Sequence, residues 1–151
     1  MPDRPPCKQP KPPRGKSVMV IDPDPQVHDL MAAFLSRLNI EVIAVHSARE
    51  AISCYKELLN NNMPPDVVVT ALNLMSYRDT GQLEDCGEIP LDGAYTARLI
   101  RQMDPDATII GFTALADTIW SDKLKRAGAE AVYGKSIGFD SLAAKIQDIL
   151  S

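Results

Sequence analysis

The chain is poor in the residues that mark metal centres and disulfide frameworks. Its three cysteines, Cys7, Cys54 and Cys86, lie far apart and form no C-x-x-C pair. Its two histidines, His28 and His46, are isolated in the sequence, so each is interpreted as an ordinary helix or strand-end residue. This pattern argues against both a disulfide framework and a zinc site, and it is typical of a reducing, cytoplasmic environment.

Long apolar runs are missing as well. No stretch approaches the roughly 18 apolar residues that a transmembrane helix needs, and the N-terminus has no apolar segment of the kind found in secretory signals. The chain has 151 residues, of which 45% are apolar and 24% are charged. We therefore expect one globular domain with a substantial core and no contact with a membrane.

Charge is distributed unevenly along the chain. Residues 1–16 contain six prolines, and their five basic residues stand against one acid, Asp3, for a net charge of +4. Since the whole chain carries −4, the remainder carries −8. An acidic body repels phosphate backbones, so the folded part is not expected to bind nucleic acid. Residues 1–16 cannot bury enough apolar surface to offset their ordering entropy and are predicted to form a disordered tail.

From residue 17 to residue 151, short apolar runs alternate with segments of helical periodicity. Asp24 and Ser47 are predicted to cap the first two helices. Five β/α units with apolar strands imply a parallel sheet covered on both faces. With right-handed crossovers, the expected fold is a flavodoxin-like (βα)5 three-layer sandwich with strand order 2-1-3-4-5. Strands are predicted at 18–21, 40–45, 67–71, 108–112 and 131–133, and the last three helices at 92–103, 117–127 and 139–150.

In sheets of this kind, sites form beyond the carboxyl ends of the strands, at the switch between the first and third strands. Polar or unusual residues follow four of the predicted strands. They are Asp22 to Pro25, Ala71 to Met75, Thr113-Ala114 and Lys135-Ser136.

These positions resemble the pattern of response-regulator receiver domains of the CheY-like type, and the resemblance covers residues 17–150. The segment Asp22-Pro23-Asp24-Pro25 looks like the acidic pocket of that family. Residues 65–74 look like the strand that delivers the phosphoacceptor. Further matches are Asp92-Gly93 before the third helix, Thr113-Ala114 after the fourth strand, and Gly128-Ala129 through Lys135.

The resemblance implies a role in two-component signalling. In that family an aspartate after the third strand takes a phosphoryl group from a histidine kinase, and acidic residues after the first strand hold Mg²⁺. A Thr or Ser and a Lys bind the phosphoryl oxygens. By resemblance, Asp22 and Asp24 form the acidic pocket, Asp22 is the remaining metal ligand, and Thr113 and Lys135 bind phosphoryl oxygens. The implied partners are a histidine kinase, a phosphotransfer protein or a downstream effector, and the expected state is a monomer or weak dimer.

The sequence departs from the family at the phosphoacceptor position, which is Ala71. A methyl group can neither accept a phosphoryl group nor ligate a metal. Pro23 stands where the family has a metal-ligating acid. For Asp24, the role of helix cap is favoured over that of metal ligand. We therefore expect no bound cofactor, and Mg²⁺ weakly at most. Without a carboxylate at position 71, the expected partner of Lys135 is Asp22.

Two further departures lie outside the pocket. About 14 residues are inserted at 75–91. This acidic segment is interpreted either as a flexible loop without a specific role or as a lid or partner-binding element. The family often carries an aromatic residue three positions before the lysine, where this chain has Val132, with Tyr133 beside it.

Three functions are compatible with this sequence. The first is a receiver that cannot be phosphorylated and acts as a protein-interaction module, through its fourth helix, fifth strand and fifth helix, with Trp120 and Tyr133 as anchors. The second is a phosphoacceptor receiver in which an aspartate at position 71 has been engineered to Ala71. Only then would phosphotransfer and self-dephosphorylation chemistry follow, and otherwise no enzyme is expected. The third is a flavodoxin-like small-ligand or cofactor-binding enzyme, which the acidic turn after the first strand and the absence of an Asp-x-His-x-x-Gly motif disfavour.

Overall fold

The computed structural model describes residues 16–71, 92–114 and 119–150, with only the backbone of Asp92, Ile119 and Trp120. The expectations for the tail up to residue 15, for the insertion at 75–91 and for the first residues of the fourth helix lie outside this part of the chain. Five strands and five helices alternate. They are β1 (Lys16–Ile21), α1 (Pro25–Ser36), β2 (Ile40–Val45), α2 (Ala48–Asn60), β3 (Val67–Thr70), α3 (Asp92–Met103), β4 (Ile109–Thr113), α4 (Ile119–Ala127), β5 (Ala131–Gly134) and α5 (Phe139–Leu150).

The five strands form one parallel sheet with the order β2-β1-β3-β4-β5. This confirms the predicted flavodoxin-like α/β fold. The sheet follows from strands that are apolar on both faces, since such strands are stable only when helices cover each side.

Helix caps define where the first two helices begin. The Asp24 side chain accepts a hydrogen bond from the Gln26 amide at 2.9 Å, which confirms its predicted capping role. At α2, the Ser47 hydroxyl accepts a hydrogen bond from the Glu50 amide at 3.1 Å. The Glu50 carboxylate accepts from the His46 amide at 2.8 Å, one residue earlier than a standard capping box places it.

Two apolar clusters lie on opposite faces of the sheet. One joins the sheet to α2, α3 and α4, and the other joins it to α1 and α5. At Gly111, a Cβ atom would lie 2.5 Å from Cδ2 of Leu124, so the Leu124 side chain of α4 packs directly against the β4 backbone and would have to move to accommodate a larger residue. The large side chains Tyr55 and Phe112 fill the two clusters.

Polar contacts tie together the amino-terminal edge of the sheet. The Arg101 guanidinium donates to the carbonyls of Pro105, Ala107 and Gly128, and so joins the turn before β4 to the turn before β5. The hydroxyl of the fully buried Tyr55 donates to Asp104 at 2.6 Å. Burial, with the hydrogen bond to Asp104, raises the pKa of Tyr55 well above its usual value.

Two further findings concern the cysteines and the possibility of a membrane span. Cys54 in α2 is disulfide-bonded, a bond that the wide spacing of the three cysteines does not predict. No helix in the described part of the chain is long and apolar enough to cross a membrane.

Candidate functional site

The four predicted site segments follow strands that end at the same edge of the sheet. Ile21, the last residue of β1, lies beside Thr70, the last residue of β3. Thr113 at the end of β4 lies beside Gly134 at the end of β5. Because the strands are parallel and adjacent, the residues that come next emerge at one edge, where sites of this fold class form. We call the group Asp22, Ala71, Thr113 and Lys135 the strand-end pocket.

Asp22 is held in place by contacts from its backbone and its side chain. Its amide donates to the Val45 carbonyl at 3.1 Å, and its own carbonyl accepts from His28 Nε2 at 2.7 Å. One carboxylate oxygen, Oδ1, accepts from the Asp24 amide at 2.9 Å, and the other, Oδ2, accepts from Lys135 Nζ at 3.2 Å. The residue is only 3% exposed, and each of its two carboxylate oxygens accepts a hydrogen bond.

Lys135 supplies the positive charge of the pocket. It directly follows β5 and begins a short 3-10 turn, Lys135–Ile137, that leads into α5. Its ammonium forms an ion pair with Asp22, whose side chain is 5% exposed, while the lysine side chain is 35% exposed. The contact that the sequence predicts between these two residues is therefore present, and it links the end of β1 to the start of the turn before α5.

Ala71 contributes only backbone polar groups to the pocket. Its amide donates to the Ile21 carbonyl at 3.0 Å, so β3 remains paired with β1 up to this residue. Its carbonyl accepts from the hydroxyl of the buried Thr70 at 2.9 Å. Its methyl group is 7% exposed and belongs to the apolar cluster beneath α2, α3 and α4. No nucleophilic atom is present on this side chain.

Thr113 and Asp24 occupy different environments. Thr113 ends β4 and is buried, at 5% exposure. Asp24 is exposed, and its Oδ1 is engaged by the Gln26 amide at the start of α1. The assignment of Thr113 and Lys135 to phosphoryl-oxygen binding stays a prediction.

The described residues of the strand-end pocket do not form a fitting set of ligands for the Mg²⁺ ion that receiver-type chemistry requires. Mg²⁺ demands near-octahedral oxygen coordination at short distance. Both oxygens of Asp22 already accept hydrogen bonds, Pro23 and Ala71 have no side-chain oxygen, and Asp24 caps α1. Within the described residues, no group of three or more His, Cys, Asp or Glu side chains could hold a metal ion.

Sequence reasoning missed a contact between the two histidines. Their rings meet edge to face with centroids 4.6 Å apart. His28 lies in α1 and His46 directly follows β2, as interpreted from the sequence, but their contact was not predicted. His28 is 7% exposed and must donate from Nε2, because the Asp22 carbonyl can only accept. Its Nδ1 has no hydrogen-bond partner among the described residues. His28 thus positions the main chain of Asp22, a role that no local sequence pattern could have signalled.

The predicted interaction surface is only partly described. Tyr133 lies in β5 and packs with the cluster beneath α1 and α5, and the ammonium of Lys145 lies 5.2 Å from its ring centroid. Val132 packs on the opposite face, against the α2, α3 and α4 cluster. Trp120 lies in α4, but its side chain is outside the described part of the chain. The aromatic ring of β5 therefore lies on the α5 side of the sheet.

Comparisons with known proteins support the fold. No family model matches the chain, and no curated protein matches it. Many solved structures do, at low sequence identity. They include a two-component response regulator of the LuxR family from Aurantimonas sp. SI85-9A1, with 26% identity, a TM-score of 0.65 and coverage of 90% of this chain and 85% of the other.

Two further neighbours are receiver domains. The CheY-like response regulator receiver domain protein from Methanospirillum hungatei JF-1 has 19% identity and a TM-score of 0.70, with 89% of this chain and 92% of the other covered. The receiver domain of Francisella response regulator 1452 has 20% identity and a TM-score of 0.67, with 89% and 96% covered. The chain is therefore structurally similar to the receiver domains of two-component response regulators.

Proposed function

We propose that this chain is a receiver-like signalling domain that is not phosphorylated at the usual site and acts through protein–protein contacts. The observation that carries the proposal is the Ala71 methyl group at the end of β3, beside a buried and already paired Asp22. Receiver phosphorylation needs a carboxylate nucleophile at that point and an electrostatic clamp on the phosphoryl group. The chain retains Lys135 and Thr113 but lacks the atom that would form the new bond. On this proposal the domain is not an enzyme.

Protein contacts are the remaining way for such a domain to signal. We propose that its partners are a histidine kinase, a phosphotransfer protein or a downstream effector, bound at the surface formed by α4, β5 and α5. The half-buried Tyr133 supports this choice, since aromatic side chains dominate the binding energy of many interfaces. A cytoplasmic location follows from these partners and stays a prediction.

The direct test is phosphorylation by acetyl phosphate in the presence of Mg²⁺, measured by intact mass. The unaltered chain is expected to gain no phosphoryl group. The Ala71→Asp variant is expected to gain one only weakly, because Pro23 removes a second acidic ligand and Lys135 already occupies Asp22. Stoichiometric phosphorylation of the unaltered chain would refute the proposed function. Stoichiometric phosphorylation of Ala71→Asp would refute the importance given to Pro23.

A second candidate is supported by the polar residues that remain. Thr113, Lys135 and buried Asp22 are the residues that a phosphoacceptor receiver would use, so Ala71 is compatible with an engineered replacement of an aspartate. Reading codon 71 of the parent gene separates the two cases. A native alanine codon excludes this candidate, whereas an aspartate codon makes the parent a phosphotransfer protein.

A further inference from the structure

We infer that His28 and His46 position the ion pair of Asp22 and Lys135, and that they connect the loop after β2 to the turn before α5. The inference deepens the proposed function and rests on it, because a receiver-like domain that is not phosphorylated still needs a way for a partner at one surface to alter another surface. The contacts join residues that follow β2, β1 and β5, together with one residue of α1, and none of them uses the side chain at position 71.

The first contact fixes the main chain of Asp22. His28 lies in α1 and is 7% exposed, and its Nε2 atom lies 2.7 Å from the Asp22 carbonyl oxygen. This carbonyl belongs to the residue at which the chain leaves β1. Losing a buried hydrogen bond is unfavourable, because both polar atoms would remain shielded from water. The position of Asp22 therefore depends on where the ring of His28 lies.

The second contact constrains that ring. His46 directly follows β2, is exposed, and packs edge to face on His28 with an interplanar angle of 62°. Glu50 holds His46 in turn, because its Oε1 accepts from the His46 amide at 2.8 Å and lies 3.4 Å from Nδ1 of the ring. Nδ1 of His28 has no hydrogen-bond partner among the described residues, so the packing of His46 supplies the constraint that a second hydrogen bond would give.

The third contact carries the position of Asp22 to the other side of the sheet. The Asp24 amide donates to its Oδ1 at 2.9 Å, and Lys135 Nζ donates to its Oδ2 at 3.2 Å. Since β2 and β5 are the two outer strands of the described sheet, the contacts extend along its whole carboxyl-terminal edge. Ala71 has no polar side-chain atom that would compete for Lys135. A partner that displaces His46 is therefore expected to alter the turn before α5, next to the proposed interaction surface.

A second connection between the same elements has to be separated from this one. The Asp22 amide donates to the Val45 carbonyl at 3.1 Å, and Val45 directly precedes His46. A change at His46 that acted through the backbone of β2 would reach Asp22 without involving the ring of His28. The two connections differ in one respect, because only the first is lost when the ring of His28 is replaced.

Because contact alone does not demonstrate coupling, the test is a double-mutant cycle in the full chain, followed by NMR. The readouts are the chemical shift of the Lys135 amide and the hydrogen-exchange rate of the Asp24 amide, which donates to the carboxylate of the ion pair. His46→Ala is measured alone and in combination with His28→Gln, which keeps an N–H donor near the Nε2 position but has no ring. The matched control is Arg49→Ala, at an exposed position in the first turn of α2.

We expect His46→Ala to shift the Lys135 amide and to raise the exchange rate of the Asp24 amide about threefold, because an aromatic contact is lost. Arg49→Ala should change neither readout. In the His28→Gln background, His46→Ala should have no further effect. His28→Leu, which removes the donor as well as the ring, should raise the exchange rate of the Asp24 amide about tenfold over the unaltered chain.

Either of two results would overturn the inference. One is an effect of His46→Ala on the Lys135 amide no larger than that of Arg49→Ala. The other is an undiminished effect of His46→Ala in the His28→Gln background, which would assign the coupling to the backbone at Val45. If the variants of His28 do not fold, the comparison of His46→Ala with Arg49→Ala still decides the first result.

Failure of this inference is distinguishable from failure of the proposed function. Absence of coupling in the cycle contradicts the inference alone, because it leaves the missing nucleophile at Ala71 unchanged. Phosphorylation of the unaltered chain by acetyl phosphate contradicts the proposed function, whatever the outcome of the cycle.

Discussion

The buried polar and charged groups at the two edges of the sheet find their partners in different ways. At the amino-terminal edge, Arg101 binds three backbone carbonyls and Tyr55 binds Asp104, so several contacts converge on two turns. At the carboxyl-terminal edge, the buried charge of Asp22 depends on Lys135, whose side chain is about one third exposed. The first arrangement is redundant, and the second depends on one long and flexible side chain.

This difference predicts that the two edges contribute unequally to stability. Multiple hydrogen bonds to main-chain carbonyls connect turns that hold β4 and β5 in register. A single ion pair can be broken and reformed without unfolding the sheet. Responsive elements are commonly drawn from the less stable regions of a protein, and we predict that the strand-end pocket opens more readily than the turns that Arg101 connects.

The largest effect is expected from Arg101→Met at the amino-terminal edge. The change removes hydrogen bonds to three carbonyls, two of which belong to the turn before β4, and it should lower the free energy of unfolding by about 3 kcal/mol. Urea denaturation followed by circular dichroism measures it. The matched control is Arg98→Met on the exposed face of the same helix, which should change stability by less than about 0.5 kcal/mol. Equal effects of the two changes would contradict the importance given to the Arg101 contacts.

A smaller effect is expected from Lys135→Met at the opposite edge. It leaves the Asp22 carboxylate buried without its counter-charge, and the partial exposure of Lys135 limits the loss to about 2 kcal/mol. Thermal unfolding of the two proteins measures the difference. A stability equal to that of Lys125→Met, which removes an exposed lysine of α4, would show that the ion pair contributes nothing.

Tyr55→Phe tests the amino-terminal edge through its dependence on pH. Loss of the hydrogen bond to Asp104 should lower the free energy of unfolding by about 1.5 kcal/mol near neutral pH. Because the folded state raises the pKa of Tyr55, the stabilising contribution is fully present below the unfolded pKa of about 10 and is lost as the pH rises above it. The difference between the two proteins should therefore shrink above about pH 10. Tyr95→Phe, at a 57% exposed position, is the control and should show no such trend.

The smallest effects are expected at Asp24, where two replacements separate a capping role from a charge-dependent one. Asp24→Ala should lower the free energy of unfolding by about 1 kcal/mol, because the Gln26 amide loses its acceptor. Asp24→Asn should be close to neutral, since asparagine caps helices about as well as aspartate. Chemical denaturation of both variants is sufficient. A loss in Asp24→Asn as large as in Asp24→Ala would indicate that the charge of Asp24 is used in the pocket.

Much of the fold could be predicted from the sequence because its local and global signals agree. The apolar runs define all five strands, and the handedness of β/α crossovers limits how they can be ordered. The predicted start of β1, Val18, lies two residues after the observed start, because Lys16 and Ser17 carry no apolar signal. Their backbones nevertheless pair with Ile40 and Glu41 of β2. Hydrogen bonding by polar residues at a strand end leaves no mark in the hydrophobic pattern.

The candidate site likewise combines a contact that the sequence predicts with contacts that depend on how distant elements pack. The contact between Asp22 and Lys135 could be predicted, because both residues follow strands that end at one edge and position 71 offers no competing carboxylate. The contact between His28 and His46 could not, because it depends on how α1 is rotated over β1 and β2. The disulfide bond of Cys54 also escaped prediction, because widely spaced cysteines carry no information on which residues the fold brings together.

The most direct test of the central claim, a strand-end pocket without a phosphoacceptor, is the response of the unaltered chain to Mg²⁺ and beryllofluoride, a phosphoryl mimic. The amide signals of Thr113 and Lys135 report on the pocket in two-dimensional NMR spectra. We predict no saturable shift at either amide, because Ala71 offers no carboxylate for the mimic to bind. Large saturable shifts at both amides would contradict the account.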